Sequence, residues 1–216
     1  MKNMLLGGTI VLTALNLFGQ GSVAIVFTSH SGTANDHIWG PSATDPYLSL
    51  LGAGSNDSPS GTTPYQADGM TLIGANGIGG QYGAATTFAQ FLAAPGVAPE
   101  SSLVPVGPTT TFHTGGAAGQ IVQITATLSG QPAEVTVMGV VWDNSSGVYP
   151  TWTQASVAWL DGGIAAAADV PQVIPISLGG GTYVMGSFNL YLIPEPSTIP
   201  LAGLGAAALL ARRRQK

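Results

Sequence analysis

From Ile121 to Leu192 the chain alternates apolar and polar residues in short runs. Val122, Ile124, Ala126 and Leu128 alternate with Ile121, Gln123, Thr125 and Thr127, a period that predicts a strand over 121–128 with one buried face. Residues 134–142 repeat the pattern, with Val135, Val137 and Val141 opposite Glu134, Thr136 and Met138. Strands are predicted again over 151–160, 172–178 and 182–192. The last of these sets Val184, Phe188, Leu190 and Leu192 against Tyr183, Ser187, Asn189 and Tyr191. Turn formers at Gly130-Gln131-Pro132, Asp143-Asn144-Ser145-Ser146-Gly147, Asp161-Gly162-Gly163 and Gly179-Gly180-Gly181 punctuate the runs. Short strands with regularly spaced turns predict a mainly β fold, an antiparallel β-sandwich of jelly-roll type. No repeat at a roughly 20–50-residue period is visible, which argues against a solenoid or propeller.

The first half is less patterned. Residues 23–28 read as a strand, while 29–69 are rich in Ser, Gly, Thr, Asn, Asp and Pro. So long a loop is unusual in a compact domain, so a short strand is expected near Tyr47–Leu51. Another is expected over 70–75. Over 84–94, Phe88, Phe91 and Leu92 stand at helical spacing and Pro95-Gly96 ends the pattern, predicting the one short helix of the body.

Both ends depart from this alternation. Lys2 precedes an apolar run over 4–18, and Ser22 and Ala24 offer small residues at the −3 and −1 positions of a cut after Ala24. Residues 1–24 therefore read as a signal peptide, with an uncut N-terminal anchor as the alternative. At the other end, Pro194-Glu195-Pro196 leads into Ile199–Ala211, where every residue is Ile, Pro, Leu, Ala or Gly, and Arg212, Arg213, Arg214 and Lys216 follow. At about 1.5 Å rise per residue this run is shorter than the roughly 30 Å hydrocarbon core. Including Ser197 and Thr198 gives a membrane helix over about 197–211, and the basic cluster keeps its end inside. Residues 25–193 then form one extracytoplasmic domain, and 194–216 a tail.

Ile193-Pro194-Glu195-Pro196-Ser197-Thr198, the short Gly/Ala/Leu segment and the terminal arginines together resemble the PEP-CTERM protein-sorting domain of Gram-negative bacteria. The resemblance covers residues 193–216 and nothing upstream. It implies export and processing by an exosortase, a transpeptidase-like enzyme of the inner membrane, with delivery to the cell surface or an exopolysaccharide matrix. Pro194, Glu195 and Pro196 would be the sorting motif, and Arg212, Arg213 and Arg214 part of the retention signal. Pro200, near the start of the apolar run, departs from the usual pattern, yet suits a helix that begins there.

Charge sharpens the picture. All five Lys and Arg lie in the two ends, so residues 25–193 hold nine acids and no Lys or Arg, a formal charge of −9. Such a body repels nucleic acid and anionic lipid, both bound mainly through basic side chains. It also holds no Lys or Arg salt bridge. The absence of cysteine rules out disulfides and thiolate metal sites together.

Chemistry is sparse. The Gly-x-Ser-x-Gly elbow, the His-Glu-x-x-His helix, the Walker loop and the EF-hand loop are all missing. A relaxed dinucleotide fingerprint at Gly203–Ala208 lies in the apolar tail with no strand before it, and is set aside. His30, Asp36 and His37 form the one His/acid cluster, read as a solvated loop more readily than as a metal site. Asp143-Asn144, with Asp161, offers hard oxygens for calcium, although these residues also favour turns for conformational reasons. Glu100, Glu134 and the aspartates are the candidates for a glycosidase pair, whose separation a sequence does not show. No metal, cofactor or catalytic residue is assigned.

Aromatic residues cluster in the second half. Trp142, Tyr183 and Tyr191 fall on faces predicted to point outward, and Trp152 and Tyr191 are the candidate glycan-binding residues. The sequence thus predicts a non-catalytic surface or matrix protein with a structural or adhesive body. A carbohydrate-binding module is the alternative, and a polysaccharide hydrolase the third reading.

Overall fold

The computed structural model describes residues 22–31, 34–52, 64–177 and 179–194. The chain is mainly β. Strand β1 (Ser22–Thr28) turns Val23, Ile25 and Phe27 into the core and leaves Ser22 and Ala24 exposed, as its period of two demands. Three two-residue strands follow, β2 (His30–Ser31), β3 (Ala34–Asn35) and β4 (Ile38–Trp39), then the single helical turn α1 (Pro64–Ala67). Of the strands expected before residue 76, only isolated bridges appear outside β1 to β4: Leu51 with Phe188 and Leu72 with Trp39.

The larger sheet is built on β5 (Thr87–Pro95), β6 (Val104–Thr110) and β8 (Glu134–Asp143). Strand β7 (Ile124–Ser129) lies between β6 and β8 in sequence but joins β1 in the other sheet, with Ser22 opposite Ser129 and Phe27 opposite Ile124. Its Ala126 and Leu128 are buried, and Thr125 and Thr127 exposed, as predicted. Strands β5 and β8 run antiparallel along their whole length, from Thr87 opposite Asp143 to Pro95 opposite Val135. Beyond β8, helix α2 (Trp152–Leu160) leads to β9 (Ala166–Ala168), β10 (Gln172–Pro175), β11 (Gly181–Val184) and β12 (Phe188–Asn189). Both β9 and β10 pair with β8, one beside Val140–Trp142 and the other beside Glu134–Val137.

Two core clusters explain these strands. Odd-numbered Ala89, Phe91 and Ala93 of β5 and Val135, Val137 and Val141 of β8 face the small sheet β11-β1-β7. Phe27 stacks on Phe91 with ring centroids 4.0 Å apart, and Tyr183 meets both rings edge-on. Even-numbered Leu92, Ala94, Met138, Val140 and Trp142 form a second cluster with Ala155 of α2. Strand β8 is therefore buried on both faces, and so is β5 apart from its ends.

Several expectations are overturned, the first of them by this two-sided burial. Residues 84–94 hold no helix, because a strand covered on both faces loses its alternation, and Phe88, Phe91 and Leu92 happen to mimic helical spacing. Residues 151–160 are no strand. Trp152, Ala155 and Trp159 lie on one side of a helix that stops at Asp161-Gly162-Gly163, with Gly162 at φ 75°. Gly162 N–H donates to Trp159 O at 2.9 Å and Gly163 N–H to Ala158 O at 2.8 Å, the paired bonds of a Schellman stop. Nor are Trp142 and Tyr183 outward, since both are wholly buried. The pairing is also not purely antiparallel: β1 runs parallel to β11, and β4 parallel to β12. Alternation fixes which face a residue takes but carries no sign of strand direction.

Among the described residues no helix is long and apolar enough to cross a membrane. The predicted tail helix over about 197–211 and the apolar run over 4–18 lie outside them.

Candidate functional site: an aromatic cleft

Helix α2 lies over the even face of the large sheet without covering all of it. The gap is a cleft of about 970 Å³, floored by Leu92, Leu103 and Met138 and walled by Trp152, Trp159 and Tyr191. Its floor residues are each buried, and the three aromatics are half-buried, with parts of their rings open to the cleft. Trp152 and Trp159 are seven residues apart, two helical turns, so both project from one side of α2.

The rings form a continuous series. Centroid separations are 5.9 Å from Trp142 to Trp152, 5.9 Å from Trp152 to Trp159 and 5.2 Å from Trp159 to Tyr191. Internal hydrogen bonds hold two of the indoles: Trp142 Nε1 donates to Tyr149 O at 2.7 Å, and Trp159 Nε1 to Tyr191 O at 3.0 Å. Around the rings stand Glu100, Ser101, Thr153, Ser156 and Asp169. Glu100 is exposed on a short 3₁₀ turn. Asp169 is committed elsewhere: Oδ2 accepts from the Tyr183 hydroxyl at 2.5 Å and from Gly186 N–H at 3.0 Å, and Oδ1 from Val170 N–H at 2.8 Å. The Tyr183 hydroxyl in turn accepts from Gly139 N–H at 3.1 Å. Burial, and then the Asp169 carboxylate, hold the Tyr183 phenol well above its ordinary pKa.

Such a cleft offers ring faces, hydroxyls and one free carboxylate. Apolar faces with a few polar groups at the rim suit a neutral, hydroxyl-rich ligand. Trp152 and Tyr191, the two candidates named from sequence, lie in the same cleft. Trp159 completes the wall. The sequence gives no hint of that role, because its pattern predicts a strand there, in which residues seven apart point to opposite faces.

The other sequence candidates are placed differently. Glu134 does not line the cleft, and it opens β8 opposite Pro175. His30 is exposed, with Nδ1 3.2 Å from Asn35 Oδ1. Asp36 and His37 are buried and meet Ser187, whose Oγ donates to Asp36 Oδ1 at 3.1 Å and accepts from the backbone N–H of His37 at 3.1 Å. A nucleophilic serine needs a base at its hydroxyl and access to substrate, and here the hydroxyl is bound directly to a buried carboxylate. Asp143 caps its own turn, Oδ1 accepting from Ser145 N–H at 2.9 Å, while Asn144 Oδ1 accepts from Tyr149 N–H at 2.8 Å. Asp161 belongs to the stop of α2. Among the described residues no three His, Asp or Glu side chains converge as a metal set would.

At the ends, Ala24 is exposed within β1 and pairs with Thr127. Tyr191 exchanges backbone hydrogen bonds with Ala166, and Leu192 N–H donates to Pro46 O at 2.8 Å. Pro194 follows two residues later, exposed, so the first residue of the triplet leaves the body beside the cleft. Glu195, Pro196, Arg212, Arg213 and Arg214 lie outside the described residues. No curated protein and no solved structure matches the chain. A family model, the PEP-CTERM protein-sorting motif, does match residues 192–215, and the chain therefore carries that motif at its C-terminal end.

Proposed function

We propose that this protein is exported through an N-terminal signal, held in the inner membrane by its tail helix, processed there by an exosortase, and delivered to the cell surface or extracellular matrix. The sorting-motif match over 192–215 carries the reading. Its position supports it, since a cut near residues 194–197 falls beyond the Leu192 N–H bond to Pro46 O and spares the hydrogen bonds of the described body. The body is structural or adhesive and has no catalytic role. Two sheets sharing the Phe27–Phe91 stack support its description as a sandwich. Intact mass and terminal sequencing of the protein from fractionated native cells test the proposal. The expected product ends near residues 194–197 outside the inner membrane. A full-length C-terminus retained in that membrane would make the tail a plain anchor.

The aromatic cleft favours a second reading, a carbohydrate-binding body. Neutral polysaccharide suits it better than an acidic one, because the body's nine acids have no Lys or Arg to offset them. Losing one stacking ring is worth about 1.4 kcal/mol, roughly tenfold in affinity. Trp152→Ala and Tyr191→Ala are each expected to weaken retention on a neutral polysaccharide resin by that factor. Unchanged retention in both variants would return the cleft to a packing defect between helix and sheet. A hydrolase is less well supported, since Asp169 is already occupied by three donors and Glu100 has no second free carboxylate beside it in the cleft.

A further inference from the structure

The export leader and the fold meet at β1, and the fold constrains where the leader ends. Ser22, Val23 and Ala24 are already strand: they pair with Ser129, Leu128 and Thr127 of β7. Strand β1 is the middle strand of its sheet, and Val23 is buried in the main core at 6% exposure. On the β11 side the chain closes tightly on the same residues. Gly180, at φ 106°, lies so near the Ala24 carbonyl that a Cβ there would collide with it.

A cut after Ala24 would remove all of this. Three register pairs would vanish from β7, and the Val23 side chain would leave a hole in the core. It would also start the mature chain at Ile25, whose side chain is packed in the main core at 0% exposure. Three residues upstream the conditions reverse. Ser22 is exposed, and Gly19 and Gly21 place the smallest side chains at the −3 and −1 positions of a cut before it.

We propose that the leader is removed ahead of β1, within Gly19-Gln20-Gly21-Ser22 and preferentially at the Gly21–Ser22 bond, so that β1 enters the mature protein whole. This rests on the export reading above. The step is a hydrolysis by a signal-peptidase-class protease. Water adds across the amide, giving a Gly21 carboxylate on the released leader and a Ser22 amine on the body.

N-terminal sequencing of the full-length protein processed in its native host tests it. A mature chain beginning at Ser22, or at Gln20, supports the proposal. A chain beginning at Ile25 overturns it while leaving export intact, and one beginning at Met1 or Lys2 overturns the cleaved-leader reading itself. A variant separates the two sites independently. Ala24→Leu places a bulky residue at −1 of the downstream site but on the exposed face of β1, and processing is expected to proceed unchanged. Accumulation of the precursor in that variant would show that Ala24 is the residue read by the protease.

Discussion

Strands β5 and β8 and the stretch from Asp36 to Gly52, buried at its start and half-buried or exposed from Ala43 on, are held by different means. In the paired strands, burial follows from side chains of one kind: Ala89, Phe91, Ala93, Val135, Val137 and Val141 on one face, and Leu92, Met138, Val140 and Trp142 on the other. The stretch after Asp36 has only the two residues of β4 in regular structure, yet Ile38 is completely buried and Trp39 nearly so. Here the order comes from polar side chains that replace the missing ladder. Asn189 Nδ2 donates to Leu48 O at 2.8 Å and to Leu190 O at 2.7 Å, while its Oδ1 accepts from Leu50 N–H at 2.7 Å. The Tyr65 hydroxyl donates to Ser187 O at 2.9 Å, and its ring stacks on Trp39 at 5.3 Å. Every buried backbone group needs a partner, and where sheet pairing is absent, amides and hydroxyls supply it. The sheet is thus held mainly by non-directional burial, and the loop by a small apolar cluster of Trp39, Tyr65 and Met70 with Leu48 and Leu50 beside it, together with directional bonds concentrated on Ser187 and Asn189.

That contrast can be broken from either side. The largest effect is expected for Phe91→Ala, which removes the ring stacked between both sheets and costs about 3–5 kcal/mol in denaturant unfolding. A loss under about 1 kcal/mol would mean that the two sheets do not depend on the shared stack. Asn189→Ala removes three hydrogen bonds to the backbone, one buried and two part-buried, and is expected to cost about 2 kcal/mol. Its signature is local: amides of Leu48–Gly52 should exchange faster while those of β5 and β8 keep their protection. Uniform loosening would refute the division. Tyr183→Phe joins the two regimes, leaving Gly139 N–H without its acceptor and Asp169 with two donors instead of three. A cost of about 2 kcal/mol is expected by thermal or chemical melting.

The smallest effect is one of pH. Burial, and then the Asp143 carboxylate, push the Tyr82 phenol from 10.0 up to about 12, and Tyr183 is raised in the same direction. Below pH 10 both tyrosines are protonated in the folded and unfolded chains, and their contribution is complete. As pH rises above 10 the unfolded chain releases its protons first, so stability falls progressively through about pH 12. Urea midpoints taken across that window should decline, and the decline should be shallower in Tyr183→Phe. An unchanged slope in that variant would remove Tyr183 from the account.

Much of this was legible without coordinates. The strands β1, β7 and β8 lie where short apolar runs predict them, and from Thr125 to Leu128 the faces of β7 are as predicted. Just ahead of β7, Ile121 is buried and Val122 exposed, the reverse of the expectation, and in β8 Thr136 and Met138 are buried as well. The tail was legible because a sorting motif is a linear order of residues: Pro194, Glu195 and Pro196, an apolar run and the arginines stand in that order whatever surrounds them. The charge of the body was also plain from composition alone.

Tertiary structure decided the rest, and for one reason. Whether the second face of a strand is covered depends on segments distant in sequence. Helix α2 covers the even face of β8, so Trp142 lies inside, and the same covering erased the alternation that would have marked β5 as a strand. Trp152–Leu160, read alone, is a short apolar stretch compatible with either state, and its helix is settled by Ala155 packing on the sheet and by the Gly162 stop. That helix in turn brings Trp159 against Tyr191, sets Trp152 beside Trp159 and opens the cleft. Local periodicity encodes which side of an element is apolar, and only the assembled fold determines what that side meets.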